Sequence, residues 1–319
     1  LKRLSLLAAL LLPAVALAQS WPAKPVRMVS GFPPGGPSDL VARTVAQKLA
    51  ASVGQPVVVE NRPGLGGVIA MEQVAKSPPD GYTIIHGTIG GTAVAMSLVP
   101  NRGYDTLRDF APITQTVFVT NILIVHPSVP ARSVKELLAL ARARQGRLNY
   151  GSSGSGTLPH LAGELLKLMA KVDITHVAYK GSAPSLTALL SGEVDMSFEN
   201  SLIALPQMKS GKVRGLGVTG VQRARSLPEL PTIAEAAGLP GYGANGWYGL
   251  LAPAAIPKGV LARLHAESVQ ALRAPDVVER LSGQGAEPVA NTPEEFGAFI
   301  RAEIDKWANL VRVAKMKPE

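Results

Sequence analysis

Three times before Asn101 the chain runs from a short apolar stretch through a glycine-bearing turn into a helical pattern, and this repetition constrains the fold most. Pro25-Val-Arg-Met-Val-Ser30 reads as a buried strand, and Gly31-Phe-Pro-Pro-Gly-Gly36 as the turn that follows it. Leu40 to Leu49 then places apolar residues at 40, 41, 45 and 49, a helical spacing. Pro37 suits the first helical turn, where its missing N–H would be unpaired anyway. Pro56-Val-Val-Val-Glu60 is a second strand, turned at Asn61-Arg-Pro-Gly64, with Gly66-Gly67 opening a helix through Ala75. Pro79-Asp-Gly81 leads into Tyr82-Thr-Ile-Ile-His86, then Gly87-Thr-Ile-Gly-Gly-Thr92 and another helix. In a parallel sheet such loops gather at the carboxyl ends of the strands, where ligands bind. Each helix start also aims unpaired N–H groups outward, a seat for a carboxylate or phosphate.

Taken alone, Gly35-Gly36 equally suits a tight turn that binds nothing. A nucleotide loop fits less well, because Pro37 stands where the Walker lysine would be. Gly241-Tyr-Gly-Ala-Asn-Gly246 matches a dinucleotide pattern by letter, but no strand precedes it and no helical period follows.

Further on, Thr116 to His126 is long, β-branched and apolar, as a strand crossing between two lobes would be. Ser133 to Arg144 reads as a helix with a Ser133–Glu136 capping box. Leu148-Asn-Tyr150 is a strand, followed by Gly151-Ser-Ser-Gly-Ser-Gly-Thr157 and a helix from His160 to Ala170. That loop is either a flexible Gly/Ser segment or a second anion seat with hydroxyls added. Strands follow at 174–177, 194–198 and 213–219, with a helix around Pro184 to Leu190. Gly246 to Ala252 is read as a strand crossing back, and helices at 261–272 and 293–311 close the chain. Alternating strands and helices argue for an α/β fold.

The amino terminus bounds the compartment. Lys2-Arg3, the apolar Leu4 to Leu12 and Ala16-Leu17-Ala18 form an export signal, so residues 1–18 are expected to be removed and the protein to be periplasmic. Losing those two cations takes the formal charge from +9 to +7. There is no cysteine, which excludes disulfides, thiolate metal sites and a Cys nucleophile. The Lys and Arg residues are scattered and aromatics make up 5% of the chain, so a solvated basic surface is expected and no nucleic-acid partner. The five histidines show no metal-ligand spacing, and Gly151 to Ser155 fails the Gly-x-Ser-x-Gly pattern. No metal, cofactor or catalytic residue is therefore expected.

Trp21-Pro-Ala-Lys-Pro-Val-Arg27, Gly31 to Gly36 with Asp39, and Val59-Glu-Asn-Arg-Pro-Gly64 resemble the Bug family, the substrate-binding proteins of tripartite tricarboxylate transporters. Pro79-Asp-Gly-Tyr-Thr83, Tyr104 to Pro112, Leu148 to Gly154, Tyr179-Lys-Gly181, Pro231 to Glu235 and Trp247 to Pro253 resemble its later signatures. The likeness runs in order through nearly the whole chain after the signal. It implies a two-lobed Venus-flytrap fold, each lobe a sheet flanked by helices, with residues 19–121 and 241–319 in lobe I and 122–240 in lobe II. A small organic anion would sit between them, a carboxylate above all. On the first lobe the likeness implies contacts from Phe32, Pro34, Gly35, Gly36, Asp39 and Thr88. On the second it implies Ser152, Ser153, Gly156, Thr157, His160, Lys180 and Asn200. Asp39 equally suits an acid that complements the helix dipole, and Lys180 a solvated loop cation. Glu199, where Asp is common, and Ile89-Gly90-Gly91 depart from the family pattern.

The leading expectation is a monomeric solute-binding protein that delivers its ligand to membrane permease subunits. A ligand-dependent partner of a sensor-kinase ectodomain would use the same cleft. An exported serine hydrolase built on Ser153 and His160 is the alternative from another class.

Overall fold

The computed structural model describes residues 21–318, so the expected signal at residues 1–18 lies outside the described residues. The chain begins β1 (Val26–Ser30), α1 (Pro37–Val53), β2 (Val57–Asn61), α2 (Val68–Ala75) and β3 (Thr83–Thr88). Two short helices, α3 (Ala95–Leu98) and α4 (Thr106–Asp109), precede β4 (Phe110–Val119). Next come β5 (Asn121–Val125), α5 (Val134–Ala143), β6 (Asn149–Ser152), α6 (Leu158–Ala170), β7 (Thr175–Ala178) and α7 (Ser182–Leu190). They are followed by β8 (Met196–Asn200), α8 (Ser201–Lys209), β9 (Arg214–Val218) and α9 (Ile233–Ala237). The chain ends with β10 (Gly246–Pro253), α10 (Lys258–Arg273), α11 (Pro275–Ser282), β11 (Ala286–Pro288) and α12 (Pro293–Val313). Among the described residues no helix is long and apolar enough to cross a membrane.

These strands form two sheets, β11-β4-β10-β3-β1-β2 and β7-β6-β8-β5-β9. β1 runs parallel to β2 and β3, and β6 parallel to β7 and β8. The strand period of two decides which face each residue serves. Met28, Ile84 and Leu250 join one core with Val41, Val45 and Leu264 of α1 and α10. Their chain neighbours Val29, Ile85 and Leu251 face the opposite core with Met71, Phe296, Ile300 and Trp307. The second sheet divides the same way. Ile122 and Ile124 pack under Leu189 and Leu205, whereas Leu123 and Val125 share a core with Leu137 and Leu161.

Three local expectations need correction. Thr116 to His126 is not one crossing strand: the chain breaks at Thr120, whose N–H donates to Gly285 O at 3.1 Å, and β4 and β5 belong to different sheets. Gly246 to Ala252 does not cross back either. Among the described residues β10 pairs only with β3 and β4, so the return is made earlier, between Thr219 and Ala244, which hydrogen-bond each other. The Ser133–Glu136 box is half formed, because Glu136 accepts from the N–H of Arg132 rather than of Ser133.

Candidate functional site

The first turn of a helix leaves N–H groups that no helical carbonyl can reach. Three helices open onto the space between the two sheets in this state. α1 starts at Pro37 after Gly36, α6 at Leu158 after Thr157, and α7 at Ser182 after Gly181, and none has a side-chain cap at its N-terminus. Away from that space, α9 and α12 close their own ends with Thr232–Glu235 and Thr292–Glu295 boxes. Pro37, Pro159 and Pro184 remove one N–H from each open end, which leaves the remaining donors for a ligand. Three partial positive charges thus meet in one cleft.

The cleft encloses about 730 Å³, counting the part open to solvent. Phe32, Pro34, Gly36 and Thr88 line it from the first sheet's loops, and Ser153, Thr157 and Asn200 from the second's. No Lys or Arg is among the lining residues. An anion here would be held by backbone donors and hydroxyls. Asn200 Nδ2 donates to the Tyr248 hydroxyl at 3.2 Å, a bond between β8 and β10 that joins the two sheets at the cleft floor.

The other residues singled out in the sequence stand behind the cleft or at its mouth. The Gly35 N–H donates to Asp39 Oδ2 at 3.0 Å and is not turned to the cleft. Asp39 is buried; burial alone would raise its carboxyl pKa, but Arg43, the Gly35 N–H and Asn61 outweigh this and hold it below the usual range. It braces the glycine turn from behind. Ser152 is fully buried at the end of β6, its hydroxyl 2.6 Å from His176 Nε2. His160 stacks on His176 with ring centroids 3.9 Å apart, and its Nδ1 accepts the Gly156 N–H at 3.1 Å. Burial first, then the nearby His176 and Lys167 charges, push the His160 imidazole down to about 3. With Nδ1 taken up by the Gly156 N–H, that ring nitrogen does not serve Ser153 as a base. Lys180 lines a second cavity at the cleft mouth with Tyr179 and Leu65.

Sequence reasoning missed several lining residues. Asn121, Trp247 and Tyr248 reach the cleft through the crossing and the β4–β10 pairing, which leave no local signal. Ser182 and Ala183 could have been found, since Gly181-Ser-Ala-Pro184 repeats the glycine-then-proline opening of α1. His86 lies buried beneath the α1 opening, 3.3 Å from the hydroxyls of Ser38 and Thr116. Burial pushes its imidazole down to about 3, against the opposing pull of Asp39, so it stays neutral. Among the described residues no cluster of His, Asp and Glu could hold a metal ion.

The family model described as "Tripartite tricarboxylate transporter family receptor" matches residues 41–316. The chain belongs to that family. It is 37% identical to protein BugT of Bordetella pertussis, over 94% of this chain and 93% of that one. R. palustris Rpa4515, solved with adipate, superposes with a TM-score of 0.90 at 38% identity, covering 94% of this chain and all of that one. MatC from Rhodopseudomonas palustris, solved with bound malate, gives 0.85 at 32% identity, covering 91% and 100%. The receptor family agrees with the Bug resemblance in the sequence, and its members are solute-binding proteins, not enzymes. Their two-lobed binding-protein fold is the one described above.

Proposed function

We propose that this receptor captures a small organic carboxylate between its lobes in the periplasm and delivers it to the permease subunits of a tripartite tricarboxylate transporter. The observation that carries this reading is the meeting of three uncapped helix starts, drawn from both sheets, in a cleft without a lining Lys or Arg. One carboxylate would lie on the N–H groups of Ser38 and Asp39, and the hydroxyls of Ser153 and Thr157 would approach it from the other lobe. The adipate and malate found in the two solved relatives belong to this class. We take residues 19–121 with 241–319 as one lobe and 122–240 as the other, hinged at Thr120 and at the 219–244 return.

A thermal-shift panel of mono- and dicarboxylates tests the reading, since a ligand that binds only the folded state raises Tm. At one hundred times Kd the gain is about 2.7 kcal/mol, which lifts Tm by several degrees. At least one small carboxylate should do this in a saturable way, while amines and neutral sugars should not. A panel in which no carboxylate moves Tm would remove the proposed function.

A further inference from the structure

Glu199, next to last in β8, is fully buried and is one of the residues that line the cleft. Its Oε1 accepts from the hydroxyls of Ser185 and Ser197, each at 2.9 Å. Its Oε2 is buried without a partner. A charged carboxylate so placed would leave half its acceptor capacity unmet with no lining cation, a costly arrangement. A proton on Oε2 removes that cost and turns the free oxygen into a donor.

We propose that Glu199 in its neutral form donates this hydrogen to the distal carboxylate of a dicarboxylate ligand, so that capture of the dianion takes up a proton wherever the free site is ionised. The proposal rests on the carboxylate reading of the cleft and names which carboxylates it prefers. A monocarboxylate would fill the helix starts and leave Oε2–H unpaired, whereas a dianion would satisfy both ends. The second negative charge would then hold Glu199 in its neutral form, because a like charge nearby and a bond to the neutral form both raise a carboxyl pKa.

The surroundings suit this switch. Burial pushes the Glu199 pKa up to about 7, although both serine hydroxyls draw it down. β5 and α7, which pack beside it, carry no titratable side chain. On β6 the only such group is Tyr150, bonded to Glu164 of α6. His160 and Lys167 of α6 are engaged by Gly156 and Glu164. On α8 the only charged side chain is Lys209, in its last turn. From the other sheet Tyr248 faces it, a phenol pushed up by burial and then by the Glu199 charge.

Calorimetry with adipate, hexanoate and 6-aminohexanoate, from pH 6 to 8.5 in buffers of different ionisation enthalpy, tests the inference. Adipate affinity should weaken above pH 7, approaching about tenfold per pH unit, with net proton uptake on binding. Hexanoate should bind with no such slope. In Glu199→Gln the amide N–H replaces the acid, so adipate should keep its low-pH affinity and lose the slope. A wild-type adipate affinity that is flat in pH without proton uptake would overturn the inference and leave the carboxylate cleft standing. Tighter 6-aminohexanoate binding as pH rises would make Glu199 an ionised partner for a cation and overturn it too. Failure of all three probes to bind, with no carboxylate of the thermal-shift panel moving Tm, would overturn the cleft reading and this inference together.

Discussion

Gly36→Val should weaken carboxylate binding by about 10- to 100-fold, the equivalent of one overpacked contact worth ~1–3 kcal/mol. Gly36 is the N-cap of α1 and lines the cleft, at φ −78°, where any residue fits. A Cβ there would meet only Pro33 O, at 3.7 Å, so the fold has room for it. The valine methyls would instead stand over the N–H groups of Ser38 and Asp39. Tm should fall by only a few degrees, since a poor N-cap costs about 1 kcal/mol. Lys180→Ala, at the mouth, should change affinity by less than about threefold, as rim charges act mainly on encounter. Calorimetry on both folded variants decides it. Unchanged affinity in Gly36→Val would move the carboxylate off α1.

Gly66→Ala should cost a similar factor for a different reason. A Cβ on Gly66 would lie 2.9 Å from the carbonyl oxygen of Ser155, which follows the second sheet's β6. Beside it, a Cβ on Gly90 would lie 3.2 Å from Gly156 O. Backbone meets backbone along this seam, and only glycine lets the lobes come so close. The alanine would hold them apart and reduce the closed fraction, and apparent affinity falls in proportion to that fraction. Its left-handed φ of +63° also strains any side chain, by about 1–2 kcal/mol. Gly54→Ala separates the two effects: φ is +74° and nothing lies within 4 Å of its Cβ. That control should lose stability and keep its affinity. Equal affinities in both variants would show that the seam plays no part in closure.

What the sequence made legible follows from physics that acts locally. β1, its glycine turn and α1 show their periods and their proline, while Phe32, Gly36, Ser153 and Thr157, which the fold brings to the cleft lining, are implied by the family resemblance. Asp39 and His160 were harder to place for the opposite reason. Whether a side chain beside a glycine loop faces the cleft or the core depends on partners such as Asn61 and His176, far along the chain. Asn121 and Tyr248 depend on strand pairing between distant segments, and no spacing encodes it. Glu199 was visible only as an odd residue at its position; its burial and its free oxygen emerge once α7 covers β8.

In the proposed complex one small anion rests on helix N-termini from both lobes at once. Amide resonances followed during titration of the isotopically labelled wild-type protein with adipate or malate test it most directly. The amides of Ser38 and Asp39 in α1 should shift in the same saturable titration as those of Leu158 in α6 and of Ser182 and Ala183 in α7, with the same Kd. Shifts confined to one lobe, or centred on the Lys180 cavity at the mouth, would contradict it.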